Sequence, residues 1–298
     1  MRLNKISLED KKIFSWYLAL ARHELSNYSF ENIYIWSGLF DIRWAIIQDS
    51  LCVFFKDSLG CFMYLAPLGK DNNKMAVEES FRVMNEFNKN RDISRIENIE
   101  EKDLPFYKKL GYDYNKKSCD YLCLRDDLTA MRGDRFKSKR ANFNYFLKNH
   151  DFQYLPFSPK HKDECLRLYD NWMGGRKAKY ENYIYQSMLA DSGNSLKLAL
   201  EKYSSFNFIA RVVITGGKIK AFTLGAELNQ DTFCILYEIC DLSLKGLPQF
   251  IFAEFCRELK DYKYINIMDD LGLENLKPVK LSYRPIRLIP SYIILLQQ

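Results

Sequence analysis

The chain has 298 residues, long for one hydrophobic core and comfortable for two, since domains cluster at roughly 100–200 residues. Apolar residues make up 47% and charged residues 28%, close to the globular average, which excludes a disordered or fibrous chain. The 44 Lys and Arg against 38 Asp and Glu leave a net charge of +6, which permits an anionic partner without demanding one.

From the N-terminus, Ser7 is placed to cap a first helix carrying Ile13, Trp16, Tyr17 and Leu20 at helical spacing. The period then changes: "IYIW", "DIRWAII", "LCVFF" and "GCFMYLAPLG" predict an antiparallel meander over residues 33–66. A helix with Val77, Phe81, Met84 and Phe87 on one face follows Gly69, then a strand near residues 93–96. Pro105 opens a helix that Gly111 stops, and a strand runs from Ser118 to Leu124. A helix over 128–149 joins the halves.

Ser158-Pro159 opens a helix with Cys165, Leu168, Tyr169 and Trp172 inward, and more helix runs to Tyr203 with an interruption at "DSGNS". Three strands joined by "TGGK" and "NQD" turns come next, then a helix over 248–260, a strand over 263–268 and a last strand "SYIILL". The same order of elements in both halves predicts two α/β (α+β) domains with mixed, mainly antiparallel sheets: residues 1–127, a connector over 128–157, and residues 158–298. That order, with "LPFYKKLGYDY", resembles the GNAT acyltransferase superfamily, so the expectation is two tandem GNAT-like domains.

No window offers the roughly 18 uncharged apolar residues of a membrane span, and no leader pattern opens the chain, so the expectation is a cytoplasmic protein without a transmembrane segment. Eight cysteines form no C-x-x-C pair and sit mostly in apolar runs, as buried thiols do. Three scattered histidines have no ligand spacing, so no metal is expected.

Four groups of residues have the chemistry of a site. In "RGDRFKSKR", helical geometry puts Lys139 among Phe136, Phe143, Phe146 and Leu147, with Arg132 and Arg135 on the same side. Lys139 is then either a snorkelling core-edge lysine or a cation facing phosphate or RNA backbone. Glu238 and Asp241 flank the end of "TFCILYEICD", where a carboxylate can accept a proton from an attacking amine or hydroxyl or simply pair with a lysine. Asp269 and Asp270 end the strand "YINIM", and Lys277, Lys280 and Arg284 bracket Tyr283 soon after, as a solvated loop or the polar floor of a site. The stretch "DLSLKGLPQF" has one glycine where coenzyme A users carry a glycine-rich pyrophosphate turn, and Pro248 removes a donor, so acetyl-CoA is not expected and no cofactor is assigned.

"NIMDDLGLENLKPVKLSYRP" resembles the signature N-x-E-E-D-L-G-x-x-G-L-R-x-x-K-x-S-Y-x-P of the phosphatidylglycerol lysyltransferase C-terminal domain family. "SNYSFENIYIW", "YLAPLG" and "DDLTAMRGDRFKSKRANFNYF" resemble three further motifs of that family in the same order, over residues 26 to 287. The resemblance implies transfer of an aminoacyl group from charged tRNA to a lipid headgroup or another hydroxyl or amine acceptor. It also implies roles: Glu238 or Asp270 orients or deprotonates the acceptor, Lys280, Lys139 and Arg140 stabilise negative charge, and Tyr283 belongs to the signature. Ile239, Ala141, Ile267, Met268 and Pro278 depart from the family pattern. Two alternatives stand beside this reading: a coenzyme A-dependent N-acyltransferase, and a non-catalytic binding protein that retains the fold.

Overall fold

The computed structural model describes residues 2–89 and 93–297, which divide into two units. Unit 1 holds the described residues up to Tyr121, Met268–Lys277, and those from Leu288 on; unit 2 holds Leu122–Ile267 and Pro278–Arg287.

Unit 1 opens with strand β1 (Asn4–Lys5), helix α1 (Lys11–Leu18) and helix α2 (Phe30–Tyr34). The strands β2 (Asp41–Ile47), β3 (Ser50–Lys56) and β4 (Cys61–Met63) follow, and each neighbouring pair from β1 to β4 is antiparallel. Gln48 and Asp49, at φ 50° and 61°, form the left-handed turn that joins β2 to β3. Helix α3 (Lys74–Phe87), capped by Asn73, buries Val77, Phe81 and Met84 and returns the chain to β5 (Arg95–Glu100), which lies parallel to β4. Helix α4 (Leu104–Lys109) and β6 (Asp113–Leu124) complete the first half of the chain.

Unit 2 begins with helix α5 (Arg125–Ala130), helix α6 (Lys137–Asn149) and strand β7 (Gln153–Pro156). Helices α7 (Lys162–Lys179) and α8 (Tyr183–Glu201) precede an antiparallel run of β8 (Ile209–Thr215), β9 (Lys218–Asn229) and β10 (Thr232–Cys240), with β7 on the outer side of β8. Helix α9 (Leu247–Glu258) leads to β11 (Tyr264–Asn266), parallel to β10, and helix α10 (Lys277–Leu281) follows.

Both units thus repeat an antiparallel run, a helix, and a strand parallel to the last of the run. Their closing strands explain why the sequence-based boundaries differ from the observed units. In unit 1 the last strand, β12 (Arg287–Leu295), lies antiparallel to β5, with Ser291 opposite Glu100, so the chain's final residues belong to unit 1 and not to a domain spanning 158–298. In unit 2, Leu122–Leu124 of β6 lie antiparallel to β11. The stretch 128–157 is no connector, since Phe136, Phe143 and Phe146 pack with Leu247 and Phe250 in the core of unit 2.

Three local expectations are corrected. "IYIW" is helical, because Ser29 accepts the Asn32 amide as an N-cap and Phe30 and Ile33 fall on one buried face. Helix α8 runs unbroken through "DSGNS": Gly193 has no side chain to meet Tyr169, whose ring would lie 2.8 Å from a Cβ, and Ser195 Oγ donates to the Asp191 carbonyl. The helix over 128–149 is broken between α5 and α6, where Met131 and Gly133 take φ 46° and 78°.

Candidate functional site

The strongest constellation lies in unit 2 around Glu238. Strand β10 shifts register against β9 between Ile235 and Tyr237, so one extra residue re-aims the pair that follows. The Tyr237 hydroxyl donates to the Ser192 carbonyl on α8. Glu238, on the opposite face, is influenced by Lys139 of α6 and Lys280 of α10. Its Oε2 is buried and has no hydrogen-bond partner among the described residues.

Burial pushes the Glu238 carboxyl up to about 8, against the pull of Lys139 and Lys280. Burial pushes the Lys139 ammonium down to about 8, with Glu238 opposing and the Arg284 charge assisting the fall. The two groups therefore hold protons with similar affinity, and their titrations are coupled. Lys139 Nζ sits 3.4 Å from the ring centroid of Tyr283, whose negative face offsets part of the cost of burying the cation. Tyr283 is buried, packs on Phe252 at 4.1 Å between centroids, and has its hydroxyl pushed well above the ordinary phenol value, first by burial and then by Glu238. Arg284 follows it at φ 54°, a left-handed backbone that turns the chain immediately after the tyrosine. Lys139, Tyr283 and Phe252 line a cavity of about 10 Å³, room for at most a single water.

Other expected residues are engaged structurally. Lys280 Nζ donates to the Ile267 carbonyl. Arg140 donates to the carbonyls of Met131 and Gly133, which clasps the break between α5 and α6. Arg135 pairs with Asp127 at 2.8 Å, and Arg132 is exposed. Asp241 pairs with Lys220 at 2.8 Å and accepts from Ser243; burial opposes ionisation, but these partners hold its carboxyl below the ordinary value. Phe136, Phe143 and Phe146, which helical spacing groups, share one core cluster, and Lys139 lines the small cavity with Phe136, whereas Leu147 is 43% exposed.

The signature stretch is divided between the units: Lys280, Tyr283 and Arg284 belong to unit 2, Asp269 and Asp270 to unit 1. In unit 1, Asp270 accepts from the Tyr121 hydroxyl and the Gly272 amide, and burial followed by this bond raises the Tyr121 hydroxyl. Asp269 is half-buried and adds negative charge near Tyr121 and Tyr64. Sequence reasoning missed Tyr121 and Phe252, although each follows the apolar alternation or helical spacing of its element.

The family model for "Phosphatidylglycerol lysyltransferase, C-terminal" matches residues 18–295. The chain belongs to this family. Among solved structures, a conserved protein of unknown function from Bacteroides thetaiotaomicron is similar at 25% identity and TM-score 0.88, with 100% of each chain covered. The L-PGS structure from Bacillus licheniformis is similar at 16% identity and TM-score 0.66, covering 96% of this chain and 92% of that one. A tandem GNAT protein from the clavulanic acid biosynthesis pathway shares the fold at 8% identity and TM-score 0.50, covering 98% and 97%. The family member described here therefore has the tandem GNAT-like fold. No curated protein matches the sequence. Among the described residues, no helix is long and apolar enough to cross a membrane, and no group of three His, Cys, Asp or Glu is arranged to hold a metal.

Proposed function

We propose that the protein is an aminoacyl or acyl transferase acting in the cytoplasm, with charged tRNA as donor and a lipid headgroup or a small amine or hydroxyl compound as acceptor. Family membership and the fold it shares with GNAT-like proteins support the reaction class. The observation that carries the assignment is the buried, unpartnered Glu238 Oε2 beside Lys139, both groups tuned to about 8. A group that must take a proton from an attacking amine or hydroxyl works best when its pKa lies near the working pH.

In this reading the acceptor's nitrogen or oxygen bonds to the aminoacyl carbonyl carbon, and its proton passes to Glu238. The ester C–O bond of the donor breaks, and the departing oxygen takes a proton from the Glu238–Lys139 pair. Charged Lys139, held over Tyr283, stabilises the developing oxyanion. Arg132 remains the exposed cation offered to donor phosphates.

The environment of α9 supports a donor other than coenzyme A. A Cβ on Gly246, at its N-terminus, would lie 2.1 Å from the Asn142 carbonyl oxygen of α6. That glycine therefore serves a close helix approach, and Pro248 follows in the first turn.

The test is transfer from radiolabelled aminoacyl-tRNAs to phosphatidylglycerol vesicles and to soluble amines. The proposal predicts product with one acceptor class and its loss on Glu238→Gln. Absence of transfer to every acceptor, together with micromolar coenzyme A binding by calorimetry, would overturn it.

A further inference from the structure

A second, larger cavity of unit 2 runs along one face of α7 and measures about 680 Å³, within the range of small-ligand sites. Its opposite wall is formed by Lys218–Lys220 at the start of β9 and by residues 240–243 after β10. Five cations line it: Arg167, Arg176, Lys179, Lys218 and Lys220. Its two carboxylates are already committed, since Glu164 Oε1 accepts the Ile219 amide at 2.8 Å and Asp241 pairs with Lys220. Four of the five cations therefore have no ion-pair partner among the described residues.

Arg176 is the most informative of them. Its Nε is buried with no hydrogen-bond partner, and its guanidinium lies over the Trp172 ring at 5.3 Å. A buried donor left unmade is costly, and a guanidinium fork is best satisfied by the paired oxygens of a phosphate. Trp172 adds an aromatic wall of the kind on which a nucleobase stacks. Gly175 keeps that face of α7 bare, and a Cβ there would meet nothing within 4 Å.

We propose that this cavity binds a nucleotide, with its phosphate groups on Arg176, Arg167 and Lys179 and its base against Trp172. The nucleotide is either free or the single-stranded end of an RNA. The site goes beyond the transfer reading and does not depend on it, because none of its contacts uses Glu238 or Lys139.

The experiment titrates the full chain with ATP by calorimetry, with a labelled single-stranded RNA octamer by anisotropy, and with inorganic phosphate as a reference. Saturable binding of ATP or the octamer at one site, tighter than phosphate, is expected. It should weaken about tenfold in Arg167→Glu and more in Arg176→Ala, and it should fall as salt rises. Gly175→Leu should block the cavity while favouring the helix, so lost binding in that variant cannot be ascribed to unfolding. Octamer binding tighter than ATP identifies an RNA end as the source; the reverse identifies a free nucleotide. Glu238→Gln should bind as wild type does even where transfer is lost. Unchanged binding in Gly175→Leu and Arg167→Glu, phosphate binding as tight as either nucleotide probe, or no saturable binding would overturn the proposal.

Discussion

Glu97 and Glu100 of unit 1 and Glu238 of unit 2 meet the cost of burial in opposite ways. In unit 1, burial alone would raise Glu97, but Lys117 at 2.5 Å and Arg95 at 2.7 Å outweigh it and leave the carboxyl below its ordinary value. Glu100 is likewise held low against burial by His23 at 2.8 Å and Lys102 at 2.7 Å. In unit 2, Glu238 has no hydrogen-bond partner for Oε2, and burial wins. A fully satisfied carboxylate fixes structure and resists proton exchange. An under-satisfied one beside a lysine of similar proton affinity is poised to exchange protons.

Neutralising each class of carboxylate gives the sharpest contrast. Glu238→Gln should lower transfer by about 10²–10⁴ while the protein stays folded, as measured by initial rates beside circular dichroism. Glu97→Gln should leave the rate per folded molecule unchanged and cost about 1–3 kcal/mol in urea denaturation, because Lys117 loses its partner but remains partly solvated. A rate loss in Glu97→Gln equal to that in Glu238→Gln would erase the distinction between the units.

The pH dependence of stability sharpens it further. Glu238 binds its proton more tightly folded than unfolded, so stability should fall as pH rises from about 4.5 towards 8. Glu97 and Glu100 have lowered values, so their contribution is present above the ordinary carboxylate range and is lost as pH drops through their folded values. Glu238→Gln should therefore raise stability at pH 8 relative to pH 5 by about 1–3 kcal/mol, read from denaturation midpoints at the two pH values. Smaller still, Arg140→Ala should cost about 1 kcal/mol by releasing the clasp on Met131 and Gly133. Arg135→Ala should change stability by less than about 0.5 kcal/mol, since its pair with Asp127 is largely solvated.

Much of this site was legible in the sequence because it rests on local periodicity. Helical spacing put Lys139 among phenylalanines, and strand position put Glu238 near the end of β10. Tyr283 stood out only as a residue bracketed by cations and as part of the family signature, since nothing in its own neighbourhood announces burial against Phe252 and Lys139. What stayed hidden depends on distant partners. Local alternation shows that β12 is a strand but cannot say that it pairs with β5, and this pairing is what assigns the chain's end to unit 1. Arg140 received its charge-stabilising role from the family resemblance, whereas the carbonyls it meets at the left-handed break around Met131 leave no mark in the sequence. The register shift in β10 was equally invisible, since an extra residue in a strand leaves no mark on composition.

The central claim is that Glu238 holds its proton near neutrality, and infrared difference spectroscopy of the wild type against Glu238→Gln tests it most directly. A protonated carboxyl band is expected at pH 6 that is absent from the variant and disappears with a midpoint near 8. A band that titrates near the ordinary glutamate value of about 4.3 would contradict it.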